Sequence, residues 1–340
     1  MAKERNRRWV LSHRVDEEVS EENFTWVESE IPHPKAGEFV ARNLWMSFDP
    51  TQILMIARPA EGAGSAGGLP LGEAMSTIAV SEVVESRHPE FRPGDIVHGH
   101  MGWEDYSVSD GTGFTPTYRV PEGIPPRWAI GVLGLTGLVA YFGVHEIARP
   151  SPGETFLISG AAGGVGMVAT QLAKLSGARV IAIAGSSAKC DWLRREAAVD
   201  AAIDYRAEDL AQRLTELCPD GVDIYFDNHG GPTLDLVLGR LRAGGRAVLC
   251  GVSALYRADP TPPGLQNYVN LILVNGRMQG LLGRDYVGRR GEAFATMLPL
   301  LRSGQLRSKE DVLVGLRNAP HGLARLLAGE NVGKQLLEND

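Results

Sequence analysis

The chain has 340 residues, of which 44% are hydrophobic and 22% are charged, and its formal net charge is −7. This ordinary globular composition excludes a wholly disordered chain, a collagen-like chain and a small disulfide-stapled domain. The acidic balance argues against a nucleic-acid-binding protein, which usually carries a basic stripe. Glycine is enriched, with 41 residues against a usual share of roughly 7%, and this predicts many tight turns.

The length predicts two domains, because single hydrophobic cores stop growing at roughly 250–300 residues. We expect residues 1–125 and 306–340 to form one domain and residues 126–305 to form the other. The three scattered cysteines predict neither a disulfide framework nor a structural zinc, and they fit a cytoplasmic location. We expect no membrane association, because the chain shows no signal-peptide pattern and no apolar stretch of about 20 residues.

Residues 1–125 consist of short apolar runs separated by turns that contain Pro or Gly. The predicted strands are residues 38–44, 78–85, 95–97, 106–108 and 118–120. This spacing predicts a barrel or a sandwich of short strands. We interpret the basic residues 3–8 as a solvated tail, and the Gly- and Ala-rich residues 61–68 as a surface loop.

From residue 155 onward, apolar strands alternate with helical patterns. The predicted strands are residues 155–159, 179–184, 201–203, 223–226 and 246–250, and the predicted helices are residues 165–175, 187–197, 208–217 and 232–241. Ser186 or Ser187 is expected to cap the second of these helices. This alternation predicts an α/β fold with a doubly wound parallel sheet.

A glycine-rich turn, residues 159–166 with the sequence SGAAGGVG, lies between the first of these strands and the first helix. Glycine lets a pyrophosphate approach backbone N–H groups closely, and a helix N-terminus offers unpaired N–H groups and a partial positive charge. This context indicates a dinucleotide site. Gly163, Gly164 and Gly166 are the predicted contacts.

The second strand indicates which dinucleotide binds. NAD sites usually have Asp or Glu at its end, about 20 residues after the turn, but residues 185–189 read GSSAK. The hydroxyl of Ser186 and the ammonium of Lys189 suit a 2′-phosphate, which predicts NADP(H). Tyr205 and Arg206 are candidates to close the same pocket. The alternatives are that Lys189 is a solvated helix lysine and that Tyr205 is a packing residue at a strand end.

Three histidines of the first domain, His88, His98 and His100, raise the possibility of a zinc site with Asp95 nearby, since catalytic zinc needs three protein ligands. No cysteine occurs within residues 1–189. We interpret the histidines as surface or core-edge residues and expect no metal.

Several segments together resemble one family. They are residues 46–50 (MSFDP), 102–106 (GWEDY), 133–143 (LGLTGLVAYFG), 184–186 (AGS) with Lys189, 225–228 (YFDN), 250–253 (CGVS), 277–280 (RMQG) and 329–334 (GENVGK), besides the glycine-rich turn. The chain resembles the zinc-independent medium-chain dehydrogenases/reductases, in the leukotriene-dehydrogenase/prostaglandin-reductase group. That group includes plant alkenal double-bond reductases and bacterial curcumin reductases.

The resemblance implies a GroES-like β-rich substrate domain, a Rossmann-type NADPH domain and a homodimer. It implies reduction of the C=C bond of α,β-unsaturated aldehydes and ketones, with Tyr256 as the catalytic tyrosine that serves the enolate. Lys189 and Tyr205 would hold the 2′-phosphate. The further cofactor-binding residues would be Thr136, Val165, Asn228, Cys250, Gly251 and Asn331.

The substrate pocket would contain Asp49, Thr51 and Tyr256. The family often has an aromatic residue and a cation after the Asp-Pro pair, where this chain has Thr51, Gln52 and Ile53, so the substrate itself stays open. Quinone or enoyl-thioester reduction on the same scaffold is an alternative activity. A non-catalytic NADPH-binding protein is an alternative of another class.

Overall fold

The structure, a computed structural model, describes residues 5–58, 68–254 and 264–340. Within them the strands are β1 (Asn6–Leu11), β2 (Phe24–Ser29), β3 (Phe39–Ser47), β4 (Ser76–Ser86), β5 (Ile96–Gly102), β6 (Tyr106–Ser109), β7 (Tyr118–Arg119), β8 (Thr155–Ile158), β9 (Arg179–Ala184), β10 (Ala201–Asp204), β11 (Val222–Asp227), β12 (Leu241–Leu249), β13 (Arg277–Gly280), β14 (Glu310–Val314) and β15 (Lys334–Glu338).

The helices are α1 (Ile53–Ile56), α2 (Pro126–Ile130), α3 (Leu135–Phe142), α4 (Gly164–Leu175), α5 (Ser187–Arg195), α6 (Leu210–Leu217), α7 (Gly231–Leu238), α8 (Asn270–Leu273), α9 (Arg290–Arg302) and α10 (Ala319–Ala328). A π-helical turn, Gly143–Ala148, follows α3. No helix among the described residues is both long and apolar enough to cross a membrane.

The chain divides into two compact units, residues 1–134 with 310–340 and residues 135–309. The first is a mixed, mainly antiparallel sheet of the GroES-like type, and the second is a parallel sheet with helices of the Rossmann type, so the predicted fold class is confirmed. α2 belongs to the first unit because it packs on β3 and β4. The domain limits suggested by composition, near residues 125 and 305, remain predictions.

The first unit is built on a seven-stranded sheet. Its order is β14-β15-β3-β4-β5-β7, with β6 also paired to β3. Phe39, Met46 and Trp103 are fully buried in its core. β1 and β2 form a separate antiparallel pair. The solvated-tail interpretation is therefore wrong for residues 6–8, because they belong to β1 and Arg7 donates to the Asp105 carboxylate at 2.7 Å.

The second unit is a six-stranded parallel sheet with the order β10-β9-β8-β11-β12-β13. The chain proceeds outward from β8 in one direction and then from β11 in the other. The carboxyl ends of β8 and β11 therefore flank the point where the winding direction switches, which is where ligands bind in such sheets. Buried aliphatic side chains from both sides of this point, among them Leu157, Ile181 and Val237, form the core.

Two predicted boundaries in this unit are wrong. The helix predicted for residues 232–241 ends at Leu238, and Leu241 already belongs to β12. The ladder between β11 and β12 is irregular after the Val222–Leu241 pair, because Gly244 has a φ of +74° and register resumes only at Arg246. Because of this bulge, the start of β12 shows no regular hydrophobic pattern in the sequence.

Candidate active site

The glycine-rich turn connects β8 to α4. Gly160 has a φ of +58°, and Gly163 caps α4 with an extended backbone. A Cβ at Gly166 would lie 2.2 Å from the carbonyl oxygen of Gly160. Only glycine therefore fits this position. The first N–H groups of α4, from Gly164, Val165 and Gly166, have no preceding carbonyl within the helix to bind, and they can bind an anion.

Three further predicted residues lie at the adjacent strand ends. Asn228 follows β11 and donates from Nδ2 to the carbonyl oxygen of Ser159 at 2.8 Å. Cys250 and Gly251 follow β12, and both donate their N–H groups to the carbonyl oxygen of Asp227. The structure therefore brings the glycine-rich turn, Asn228, Cys250 and Gly251 together at the carboxyl edge of one sheet.

The residues predicted for a 2′-phosphate lie at the end of β9. Ser186 caps α5 by accepting from the N–H of Lys189 at 3.3 Å, which places Lys189 on the first turn of that helix. Tyr205 follows β10 and donates its N–H to Ala184 at 3.1 Å. A Cβ at Gly185 would lie 3.3 Å from both the Tyr205 hydroxyl and Nε of Arg206. The Tyr205 phenol and the Arg206 guanidinium thus lie beside the end of β9, and Ser186 and Lys189 belong to the helix start that follows it.

The nearest acid, Asp204, does not take the place of an NAD-type carboxylate after the second strand. It ends β10, the third strand, and accepts the N–H of Arg206 at 3.1 Å. The adjacent Arg206 guanidinium lies 6.0 Å from the centre of the Tyr205 ring. The end of β9 therefore lies near a guanidinium and a phenol, both of which can donate hydrogen bonds to a phosphate.

Sequence reasoning missed His229 as a neighbour of this pocket. Its ring centre lies 5.8 Å from that of Tyr205, and Nδ1 lies 3.0 Å from the Ser253 hydroxyl. Burial lowers the pKa of His229. The available signal was its position immediately after the segment 225–228, which carries part of the family resemblance.

The predicted substrate-pocket residues Asp49 and Thr51 lie in the first unit, where β3 ends. The Asp49 carboxylate accepts from Nζ of Lys334 at 2.6 Å and from the Ser47 hydroxyl at 2.5 Å. Lys334 is 3% exposed, whereas the Asp49 side chain is half-buried, so this ion pair is partly buried. Thr51 is exposed in the 3-10 turn that follows. Sequence reasoning missed the pairing with Lys334, although residue 334 lies within one of the quoted segments.

The remaining predicted residues belong to different units or lie outside the described residues. Thr136 is half-buried at the start of α3 in the second unit. Asn331 is buried in the first unit, where Nδ2 donates to the carbonyl oxygen of Gly333 at 2.7 Å. Tyr256 lies outside the described residues, as does most of the predicted surface loop at residues 61–68.

The described residues include no group of three His, Cys, Asp or Glu side chains that could hold a metal ion. The His98 ring stacks on Tyr118 at 4.8 Å, and His88 lies 4.8 Å from Phe91. The His100 ring is 3.0 Å from the Ser76 hydroxyl, and burial lowers the pKa of His100.

Comparison with known proteins places this architecture in a family. Residues 7–117 match the family described as the N-terminal domain of oxidoreductase, and residues 164–303 match that described as zinc-binding dehydrogenase. The NADPH-dependent curcumin reductase of Escherichia coli is 35% identical, covering 98% of this chain and 97% of that protein. The chain belongs to the zinc-independent medium-chain dehydrogenases/reductases, in the prostaglandin-reductase and alkenal-reductase group.

Two further relatives agree with this membership. The 2-alkenal reductase (NADP(+)-dependent) of Nicotiana tabacum is 35% identical, covering 97% of this chain and 94% of that protein. The crystal structure of CurA in complex with NADPH from Vibrio vulnificus has a TM-score of 0.89 and 35% identity, and it covers 98% of this chain and 99% of that one. The chain is accordingly an oxidoreductase of this family.

Proposed function

We propose that this oxidoreductase uses NADPH to reduce the C=C bond of α,β-unsaturated aldehydes and ketones. NADP(H) is its cofactor. A 2-alkenal is an α,β-unsaturated aldehyde, and a relative covering nearly the whole chain is named for that substrate class. We attribute the choice of the particular enone to the residues at Thr51–Ile53, where the sequence departs from the family.

The residues at the carboxyl edge of the parallel sheet fit a dinucleotide phosphate. The turn is packed so closely that Gly166 admits no Cβ, and the first N–H groups of α4 follow directly from Gly163. We assign the pyrophosphate to the backbone of residues 163–166. Asn228, Cys250 and Gly251 line the neighbouring strand ends.

The observation that carries the choice of cofactor is the group of side chains around Gly185. The Tyr205 hydroxyl and the Arg206 guanidinium lie beside Gly185 at the end of β9, and Ser186 and Lys189 begin the helix that follows. These groups donate hydrogen bonds and carry positive charge, which a 2′-phosphate needs and a free ribose hydroxyl does not.

NADPH, when bound, supplies a hydride to the β-carbon of the substrate. The chain's task is to orient the two reactants and to stabilise the negative charge that develops on the carbonyl oxygen. We assign the donor of this hydrogen bond, and of the proton to the α-carbon, to the Tyr256 hydroxyl. The Asp49 carboxylate is engaged by Lys334 and Ser47, so we assign it the role of holding the turn that carries Thr51.

Substitution of Lys189 by alanine tests the cofactor assignment. Loss of a charge-assisted hydrogen bond to phosphate should raise the KM for NADPH about tenfold or more and leave the KM for NADH nearly unchanged. Lys309→Ala, at an exposed lysine before β14, is the matched control and should change neither constant. Equal effects of Lys189→Ala on both coenzymes would exclude a contact with the 2′-phosphate.

Two measurements test the reaction: a substrate panel with the wild-type protein, and the Tyr256→Phe variant. Steady-state rates with an alkenal, a quinone and an acyl thioester separate enone reduction from the other two-electron reductions that the same scaffold supports. The proposal expects the highest kcat/KM with the alkenal, and a lower kcat for Tyr256→Phe at unchanged NADPH affinity. Unchanged kcat in the variant removes the phenol from the mechanism, and a preference for quinones contradicts the substrate class.

We also propose that the protein is a homodimer, in which β13 pairs with β13 of a second copy. β13 is an edge strand, and all four of its residues are exposed. Among the described residues it has β12 on one side and no strand on the other. Exposed apolar side chains lie close by in sequence, with Ile272 at 80% and Leu273 at 81% exposure. An uncovered edge of this kind pairs readily with its own copy.

Light scattering coupled to size-exclusion chromatography tests the dimer. The wild-type protein is expected at twice the mass of the chain, and an Ile272→Glu/Leu273→Glu variant at the mass of a monomer. Leu175→Glu, an exposed leucine at the end of α4, serves as the control and should stay dimeric. A monomeric wild-type protein contradicts the proposal.

A further inference from the structure

A buried carboxylate lies directly behind the glycine-rich turn. Asp227 ends β11 and is 1% exposed. Among the described residues no cation forms an ion pair with it. Removing a carboxylate from water without a counter-charge is costly, so its oxygens must be satisfied by hydrogen-bond donors.

Four groups supply these donors. The Ser159 hydroxyl and the Tyr225 hydroxyl donate to Oδ1 at 3.1 and 2.8 Å. The N–H of His229 donates to Oδ1 at 3.0 Å, and the N–H of Gly230 lies 2.9 Å from Oδ1 and 3.1 Å from Oδ2. Burial, reinforced by the negative charge of Asp227, raises the pKa of Tyr225, so its hydroxyl remains a donor. The carboxylate thus links β8, β11 and the start of α7.

Ser159 connects the Asp227 carboxylate to the glycine-rich turn. Its hydroxyl donates to Asp227 and accepts the N–H of Asn228 at 3.0 Å. Its carbonyl oxygen accepts from Nδ2 of Asn228 at 2.8 Å, and its N–H donates to the carbonyl oxygen of Phe226. Ser159 is therefore fixed to the end of β11 by backbone and side chain alike.

The position of Ser159 determines that of the helix start. Gly160 follows it, and a Cβ there would lie 3.2 Å from Cβ of Asn228. The carbonyl oxygen of Gly160 accepts the N–H of Gly163, and it would lie 2.2 Å from a Cβ at Gly166. A rotation at Ser159 therefore displaces Gly163 and the first N–H groups of α4.

We propose that Asp227 is a positioning residue for the cofactor site, which acts through the Ser159 hydroxyl to set the orientation of the glycine-rich turn. This role rests on the proposed binding of NADPH at that turn. Because the turn faces the pyrophosphate, which NADPH and NADH share, the positioning affects both coenzymes alike. In this it differs from Lys189, whose effect is confined to NADPH.

Binding measured by isothermal titration calorimetry tests the role without requiring turnover. Ser159→Ala should weaken NADPH and NADH binding about tenfold each, a change of about 1.4 kcal/mol, and leave their ratio unchanged. The kcat at saturating NADPH should stay at the wild-type value. Asp227→Asn should have the same effect as Ser159→Ala, and the double variant should be no weaker than either single variant, because both act in one chain of hydrogen bonds.

Tyr225→Phe is the matched control. It removes a donor to the same carboxylate oxygen from within β11, and it leaves in place the hydrogen bonds that join Ser159 to Asp227 and Asn228. It should lower the melting temperature and leave both Kd values unchanged. The positioning role is overturned if Ser159→Ala binds the coenzymes with wild-type affinity. It is also overturned if Ser159→Ala and Tyr225→Phe lose coenzyme affinity by the same factor. Either result leaves the cofactor proposal standing. Failure of the wild-type protein to bind NADPH overturns both.

Discussion

Replacing Gly166 by alanine puts a methyl group where the glycine-rich turn has no room. The added Cβ would lie 2.2 Å from the carbonyl oxygen of Gly160 and 2.7 Å from Cα of Ala161. Non-bonded heavy atoms pack at roughly 3.5 Å, so the turn must open by about 1 Å. A misplacement of that size in a site can cost about a hundredfold, and we expect NADPH binding to Gly166→Ala to weaken by about that factor.

Calorimetric titration of the folded variant with NADPH measures this change, and circular dichroism verifies the fold. Gly291→Ala is the control, since a Cβ at Gly291 in α9 would meet no atom within 4 Å. Its NADPH affinity should equal that of the wild-type protein. If Gly166→Ala folds and binds NADPH with the wild-type Kd, the inference that a closely packed turn holds the pyrophosphate is refuted.

Three further changes test the packing. Hydrogen bonding to the Arg246 guanidinium lowers the pKa of the Glu154 carboxyl from 4.5, so the pair stabilises the fold above that pH and its contribution is lost as the pH falls through the folded-state pKa. Glu154→Gln should reduce the free energy of unfolding at neutral pH, and this free energy should fall less steeply as the pH is lowered. Urea unfolding at several pH values measures this dependence. A fall as steep as in the wild-type protein would contradict the prediction. Lys334→Met leaves Asp49 in a half-buried site without its cation and should lower the free energy of unfolding by about 2 kcal/mol, between the values for exposed and buried pairs. The double variant Lys334→Met/Asp49→Asn should recover part of this loss. A Lys334→Met variant as stable as the wild-type protein would show that the pair does not stabilise the fold. Desolvation raises the pKa of all three cysteines, that of Cys190 to about 11 and that of Cys250 to about 12. Iodoacetamide at pH 8 should therefore modify none of them in the native protein and all three after unfolding, as intact-mass spectrometry will report. Rapid modification of the native protein would contradict these raised pKa values.

The sequence predicted the parallel sheet well because its strands are short, uniformly apolar runs with turn residues between them. β9 begins and ends as predicted, and Ser186 caps α5 as one of the two expected residues. β1 was missed because its first half, Asn6-Arg7-Arg8, is polar, and only pairing with β2 and the contact between Arg7 and Asp105 reveal its place. β13 was missed because its four residues are exposed and carry no hydrophobic pattern.

The candidate site was predictable where local chemistry decides it. A phosphate requires a particular backbone geometry, and a glycine-rich turn between a strand and a helix indicates it in the sequence. The polar residues after the next strand add the side chains that a phosphate needs. Contacts between distant segments were not predictable. The pairing of Asp49 with Lys334 joins residues far apart in the chain. The role of Asp227 depends on the ends of β8 and β11, which meet only in the folded sheet.

Competitive titration of the purified wild-type chain with NADPH and NADH, combined with product analysis for one 2-alkenal, tests the central claim most directly. We expect NADPH to bind at least about tenfold more tightly than NADH, and each NADPH oxidised to yield one saturated aldehyde. Tighter binding of NADH, no binding of either coenzyme, or an allylic alcohol as the product would contradict it.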